Sequence, residues 1–198
     1  MSRTPKEQPP VKTPTRKLVE EACARFDLEN KTAEEALTDL FGHYSSNNNN
    51  AHVLLKVIAL DRLYNTHILG VYDVASHIYL QSQGVDAALA IGSPGIVDRI
   101  APVKMSSTGK VRINYSFATK YCSWHNPTAY PIWDARVNRY FLRLRWQNPA
   151  LPFPRPSGYL WDQYHEFLTL VTAFRDHYEL GSLTFKQLDK FLYQEGGE

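Results

Sequence analysis

The chain has 198 residues, 43% of them apolar and 13% aromatic, with a formal net charge of +2. That is enough apolar content for one cored domain, or two small lobes sharing a core. Two cysteines, Cys23 and Cys122, are too few for a disulfide scaffold, a zinc ribbon or an iron–sulfur cluster, and their apolar neighbours suit buried thiols in a reducing cytoplasm.

The opening "MSRTPKEQPPVKTPTRK" is rich in Pro, Lys and Arg. It has no apolar segment of the kind a signal peptide or membrane anchor needs, and residues 1–16 read as a disordered basic arm. Apolar residues from Lys17 to about Tyr44 recur at helical spacing, with Thr32 and Glu35 forming a capping box for a second helix there. "SSNNNN" at 45–50 is a polar loop with Asn50 as N-cap, leading into the apolar helix "AHVLLKVIALDRLYNTHI". Val53, Val57, Leu60 and Tyr64 share one of its faces. Helices are expected over 71–82, ended by Gly84, and over 85–91, then a turn and a helical turn in "GSPGIVDRIAPVK". Helices over 112–125 and 134–146 flank the Pro-punctuated loop "NPTAYPIW". The loop "NPALPFPRPSG" precedes helices over 159–178 and 184–193. Strand alternation and repeats are absent, so the expected fold class is all-α, with a single domain over 17–198. No segment has the roughly 20 uncharged apolar residues of a membrane span, and the expected location is the cytoplasm.

Charge is unevenly spread. Residues 1–17 carry +4, residues 18–100 carry −6, residues 101–146 carry +7 and residues 147–198 carry −3. The cationic segment contains Lys104, Lys110, Arg112, Lys120, Arg136, Arg139, Arg143 and Arg145 against Asp134 alone. Such a segment suits a polyanion, above all nucleic acid, or balances the acidic remainder of the same chain. Asp134 stands where a helix begins, so one reading is an N-cap held by free backbone N–H groups beside two arginines. The alternative is a reactive carboxylate.

The pattern around Asp134 resembles the helix-hairpin-helix DNA glycosylase superfamily. An apolar-Pro-apolar loop, "YPIWD", leads into the aspartate, and Val137 and Arg139 match the family's Val-x-Arg. The family's key position, eighteen residues earlier, is Ser116. Bifunctional members have a Schiff-base lysine there and the adenine glycosylase of 8-oxoguanine repair has a serine. The resemblance spans roughly residues 50–146, and the closing "LTFKQLDKFLY" is similar to bacterial proteins of 8-oxoguanine-glycosylase-like fold. It implies a helical bundle with two small lobes that binds DNA and needs no cofactor. It further implies monofunctional cleavage of an N-glycosidic bond after base flipping, with Asp134 and Ser116 in the catalytic pocket and no lyase step unless Lys120 takes that role. Lys104, Lys110, Arg112, Lys120, Arg136, Arg139 and Arg143 become candidate phosphate contacts. Tyr115, Trp124, His125, Tyr130 and Trp133 become candidate base-pocket residues, each with a core-packing alternative. The family's Gly-rich hairpin is replaced by "STGKVRIN", whose lone Gly109 leaves charge and hydroxyls to hold a phosphate. That departure keeps two other readings open: a non-catalytic DNA-binding module of the same fold, or a protein-interaction domain with an acidic partner. The histidines lack metal-ligand spacing, and no metal site is expected.

Overall fold

The computed structural model describes residues 10–154 and 163–197. Nine helices and one β-hairpin occur among them: α1 (Arg16–His43), α2 (Asn50–Tyr64), α3 (Val71–Leu80), α4 (Ser82–Ala90), α5 (Gly95–Ile100), β1 (Pro102–Lys104), β2 (Val111–Ile113), α6 (Tyr115–His125), α7 (Ala135–Gln147), α8 (Tyr164–His177) and α9 (Phe185–Glu195). The architecture is mostly helical. None of the described helices is long and apolar enough to cross a membrane.

α1 is one continuous helix of 28 residues, where two were expected. The stretch "DLENKTA" at its middle has neither Pro nor Gly to break it, so Thr32 is an interior residue and not a cap. Thr15 caps the helix instead, its hydroxyl accepting from Leu18 N at 3.3 Å. α2 begins one residue earlier than expected, with Asn49 as cap; its side chain accepts from Ala51 N at 2.9 Å and His52 N at 3.3 Å. Val53, Val57 and Leu60 are fully buried on the face that sequence periodicity assigns them. Gly84 lies inside α4, and the helix is interrupted at Gln81 instead.

The hairpin is the main departure. Residues 111–113 form β2, antiparallel to β1 with Val103 opposite Arg112, and α6 starts only at Tyr115. Arg112 and Ile113 therefore belong to a strand and not to the helix expected over 112–125, and Ile113 is half exposed. Three-residue strands are too short to show alternation. The turn closes through Gly109, whose φ of +67° suits glycine and whose N–H donates to Met105 O at 2.8 Å.

Of the arm expected over 1–16, residues 1–9 lie outside the described residues. Val11 is buried, and its N–H donates to Gln147 Oε1 at 3.1 Å. Tyr140 O–H donates to Lys12 O at 2.8 Å, tying the segment to α7. The expected start of the 159–178 helix also falls partly outside the described residues; α8 is described from Tyr164. α9 opens with a capping box of Thr184 and Gln187. α1 packs on α9, α9 on α7, and α2 on α3. Buried apolar residues from every helix join one contiguous core, in which each large side chain contributes roughly 1.5–3 kcal/mol by leaving water.

Candidate functional site

A cavity of about 370 Å³ opens where α1, α2, α6, α7 and α9 meet. The loop before α7 forms one wall and is pinned at three successive residues. Tyr164 O–H donates to Pro131 O at 2.7 Å. Ile132 N–H donates to the Asp189 carboxyl, with both oxygens at 3.0 Å. The Thr119 hydroxyl donates to Trp133 O at 3.1 Å and accepts from Trp133 N at 3.2 Å. These contacts fix the backbone from which Asp134 projects.

Asp134 is the N-cap of α7. Its Oδ1 accepts from Arg136 N and Val137 N, each at 2.9 Å. Its Oδ2 lies 3.6 Å from Lys120 Nζ, and Lys120 donates to Ser116 Oγ at 3.1 Å. Ser116, Lys120 and Asp134 thus form one chain of contacts along the cavity wall. The cap and site readings of Asp134 describe one geometry, because the two N–H groups hold one oxygen and leave the other for the cavity. Lys120 is only 5% exposed. Burial lowers its pKa, and the Asp134 carboxylate opposes that shift.

The opposite wall comes from α1, α2 and α9, in residues that the sequence does not mark as functional; its spacing assigns Tyr64 only to the apolar face of α2. Tyr64 O–H donates to Glu34 Oε1 at 2.5 Å. Lys186 Nζ lies 3.2 Å from Glu34 Oε2 and 3.9 Å from the centre of the Trp124 ring. Lys190 pairs with Asp27 and, at 3.8 Å, with Glu34. Burial lowers the Lys186 pKa, with Glu34 opposing, and raises that of Tyr64, with Glu34 adding to the effect. Asp189 is 5% exposed. Burial drives its pKa well above the carboxylate range, and only in part does the Ile132 N–H counter that. The available signal was the spacing of Lys186, Asp189 and Lys190, which puts three charged residues on one face of a short helix. Among the described residues no three His, Cys, Asp or Glu side chains converge as a metal site would require.

Of the sequence-derived pocket aromatics, Trp133 lines the cavity. Its buried Nε1 has no hydrogen-bond partner among the described residues. Tyr115 packs edge-on against Trp133 at 5.4 Å, and Trp124 lies beneath Lys186. Tyr130 sits elsewhere, its O–H donating to Ala88 O at 3.1 Å and Ser93 O at 3.0 Å. His125 faces a different buried group. Lys56 Nζ lies 3.2 Å from its Nε2 and donates to Tyr44 O, Ser46 O and Asn47 Oδ1 at 3.0, 3.1 and 2.7 Å. Burial lowers the Lys56 pKa to about 8. Burial and then the Lys56 charge lower that of His125 to about 3. This cluster holds the Asn-rich loop in place.

The basic residues divide in the same way. Lys120 and Arg136 line the cavity, and Arg136 stacks 4.4 Å from the Tyr193 ring centre. Arg139 and Arg143 are half-buried along α7. Lys104, Lys110 and Arg112 project from the hairpin, exposed, with no salt-bridge partner among the described residues. Lys110 and Arg112 flank a second hollow of about 310 Å³ with Ser107 and Thr108.

No solved structure matches the chain. A protein of Haemophilus influenzae, described as "Uncharacterized protein", is 32% identical over 138 residues, which make up 70% of this chain. The match spans 63% of that relative's own length, less than two thirds of it. The sequence model of the HI_0787_N family, described as an N-terminal domain, matches residues 18–129. That is more than half of the chain, from α1 through α6 into the following loop, and the chain belongs to the HI_0787_N family.

Proposed function

We propose that this chain is a DNA glycosylase-like hydrolase of helix-hairpin-helix type, taking a flipped modified or damaged base into the cavity beside Asp134 and cleaving its N-glycosidic bond. The observation that carries the reading is the carboxylate itself. Asp134 is held by two backbone N–H groups at a helix N-terminus while Oδ2 stays beside the cavity amine. Cleavage builds positive charge on the sugar, which a fixed carboxylate stabilises while it orients the attacking water. A volume of about 370 Å³ is at the small end of ligand pockets and suits one extruded nucleotide. The hairpin enters α6 just ahead of Ser116, so its unpaired cations are available to a phosphate backbone that delivers the base. The β-hairpin takes the place of the Gly-rich turn of the resembled fold, with charge replacing backbone N–H donors.

The test offers duplexes with single modified bases to the wild type and to Asp134→Asn. The wild type should leave an abasic site at one or more of them, and the variant should be slower by about 100-fold or more. Release of none of the bases, or equal rates for the two proteins, refutes the reading.

The contact of Lys120 with both Ser116 and Asp134 favours a second course. The neutral amine attacks the sugar C1′, and the base leaves with the electron pair of the C1′–N bond and takes up a proton. The aminated sugar then opens to an imine. Borohydride should trap the wild type covalently on DNA and fail to trap Lys120→Met. Hydrolysis led by Asp134 gives no trapped species with either protein.

A further inference from the structure

Three carboxyl groups line the cavity. Glu34 is taken up by Tyr64, Lys186 and Lys190, and the surroundings of the other two, Asp134 and Asp189, differ sharply. We infer that Asp189 is the proton donor of this site, a neutral carboxyl that hydrogen-bonds to the departing base and protonates it while Asp134 stays ionised. The inference rests on the base-release reading above and assigns the leaving-group half of that reaction.

Asp134 has the partners that an anion needs: two N–H donors on Oδ1, the start of a helix, and the Lys120 amine beside Oδ2. Asp189 has one N–H, that of Ile132, shared between both oxygens. It is 5% exposed, and no cationic group lies within 4.0 Å of it among the described residues. The lysines on its own helix are engaged elsewhere, Lys186 by Glu34 of α1 and Lys190 by Asp27 and Glu34. Across the cavity it meets Lys120 from α6, Asp134 and Arg136 from the start of α7, Tyr64 from α2 and the buried phenol of Tyr164 from α8. Of these Asp134 repels a second negative charge, and Lys120 is already committed to Asp134. Of two carboxyl groups close together in a buried site, the less compensated one keeps the proton. Burial above all, and the Asp134 charge, raise the Asp189 pKa in that direction, and the Ile132 N–H, the Lys186 charge and the Lys120 charge counter this only in part.

The steps balance. The Asp189 O–H bond breaks as a bond from hydrogen to a ring atom of the base forms, and the base departs with the C1′–N electron pair. Water adds to the sugar cation and gives its proton to Asp134, and one proton returns to Asp189. Water is the only co-reactant. An acid is useful only where the base leaves poorly without one, so the substrate class is a purine-type base with a basic ring nitrogen. An acidic base that departs readily as an anion would not need it.

Asp189→Asn keeps an oxygen for Ile132 N–H and removes the proton. Difference infrared spectroscopy at neutral pH, wild type against this variant, should show a protonated-carboxyl C=O band that the variant lacks. Rates should be measured on duplexes whose modified bases span a range of leaving-group acidity. The variant should lose about 10²- to 10⁴-fold on the poorest leaving groups and little on the most acidic, giving a steeper dependence on base acidity. Absence of the band means an ionised Asp189 and overturns the proposal. A uniform loss across all bases also overturns it, because that is the signature of a residue that only positions the loop. A wild type that shows the band but releases no base refutes the base-release reading, and this assignment falls with it.

Discussion

Asp134 combines a cap and an ion pair, and the two can be separated by measurement. Asp134→Ala removes both, whereas Asp134→Asn keeps a side-chain oxygen for Arg136 N and Val137 N, now at 2.9 Å from Oδ1. Losing an N-cap oxygen costs about 1–2 kcal/mol, so the Ala variant should be the less stable by about that amount. The pair with Lys120, at 3.6 Å, has a bare attraction of about 4–5 kcal/mol at an effective dielectric constant of about 20. Withdrawing both charges from water offsets much of it. A net coupling of about 1–3 kcal/mol is expected, so Asp134→Asn with Lys120→Met should be more stable than the two single changes added together. Urea unfolding of the five proteins under one slope gives each difference from its midpoint. Equal midpoints for the Asn and Ala variants would refute the cap, and strict additivity would refute the ion pair. The same series shows whether Asp134→Asn is folded, so that any loss of base release in it is chemical.

Three further outcomes follow from the geometry. His125 has its pKa lowered from 6.5 to about 3, so the folded chain binds fewer protons there than the unfolded chain as pH falls through that window, and stability drops. The Lys56 pKa is lowered from 10.5 to about 8, so the folded chain again binds fewer protons, and stability rises between those values. His125→Phe should flatten the acid limb of a Tm–pH profile and Lys56→Met the alkaline limb; unchanged limbs would refute these assignments. A Cβ at Gly196 would run into the carbonyl of Arg136, so Gly196→Ala should cost about 1–3 kcal/mol, read as a lowered Tm. Neutralising Lys104, Lys110 and Arg112 together should weaken duplex binding, seen by fluorescence anisotropy. The slope of log affinity against log salt should flatten by about 0.9 for each phosphate that is no longer neutralised.

What was legible in the sequence was local. The spacing of Val53, Val57 and Leu60 gave the buried face of α2, and "YPIWD" gave both the loop and the cap of α7. Ser116 and Asp134, eighteen residues apart, both line the cavity, but their link through Lys120 needed the loop folded back onto α6. What failed was equally physical. A helix with no breaker ran on through Thr32, because the capping-box pattern is also ordinary helix sequence. β2 was hidden because three residues cannot show a period. Tyr130 and His125 lie close to Asp134 in sequence, but His125 ends α6 against Lys56, and the loop carries Tyr130 to Ala88 and Ser93.

The second wall of the cavity was illegible for a different reason. Glu34 and Lys186 are 152 positions apart and meet only because α9 returns to pack on α1. Residues 18–129, the part shared with the HI_0787_N family, include Glu34, Tyr64, Ser116 and Lys120, while Asp134, Lys186 and Asp189 lie beyond it. The shared part alone therefore holds an amine and a hydroxyl but neither carboxyl that the proposed chemistry uses. Ile132 N–H joins the two sides, binding Asp189 two residues before Asp134 begins α7. α9 also packs on α7, so this hydrogen bond and that packing together set the relative placement of the two acids.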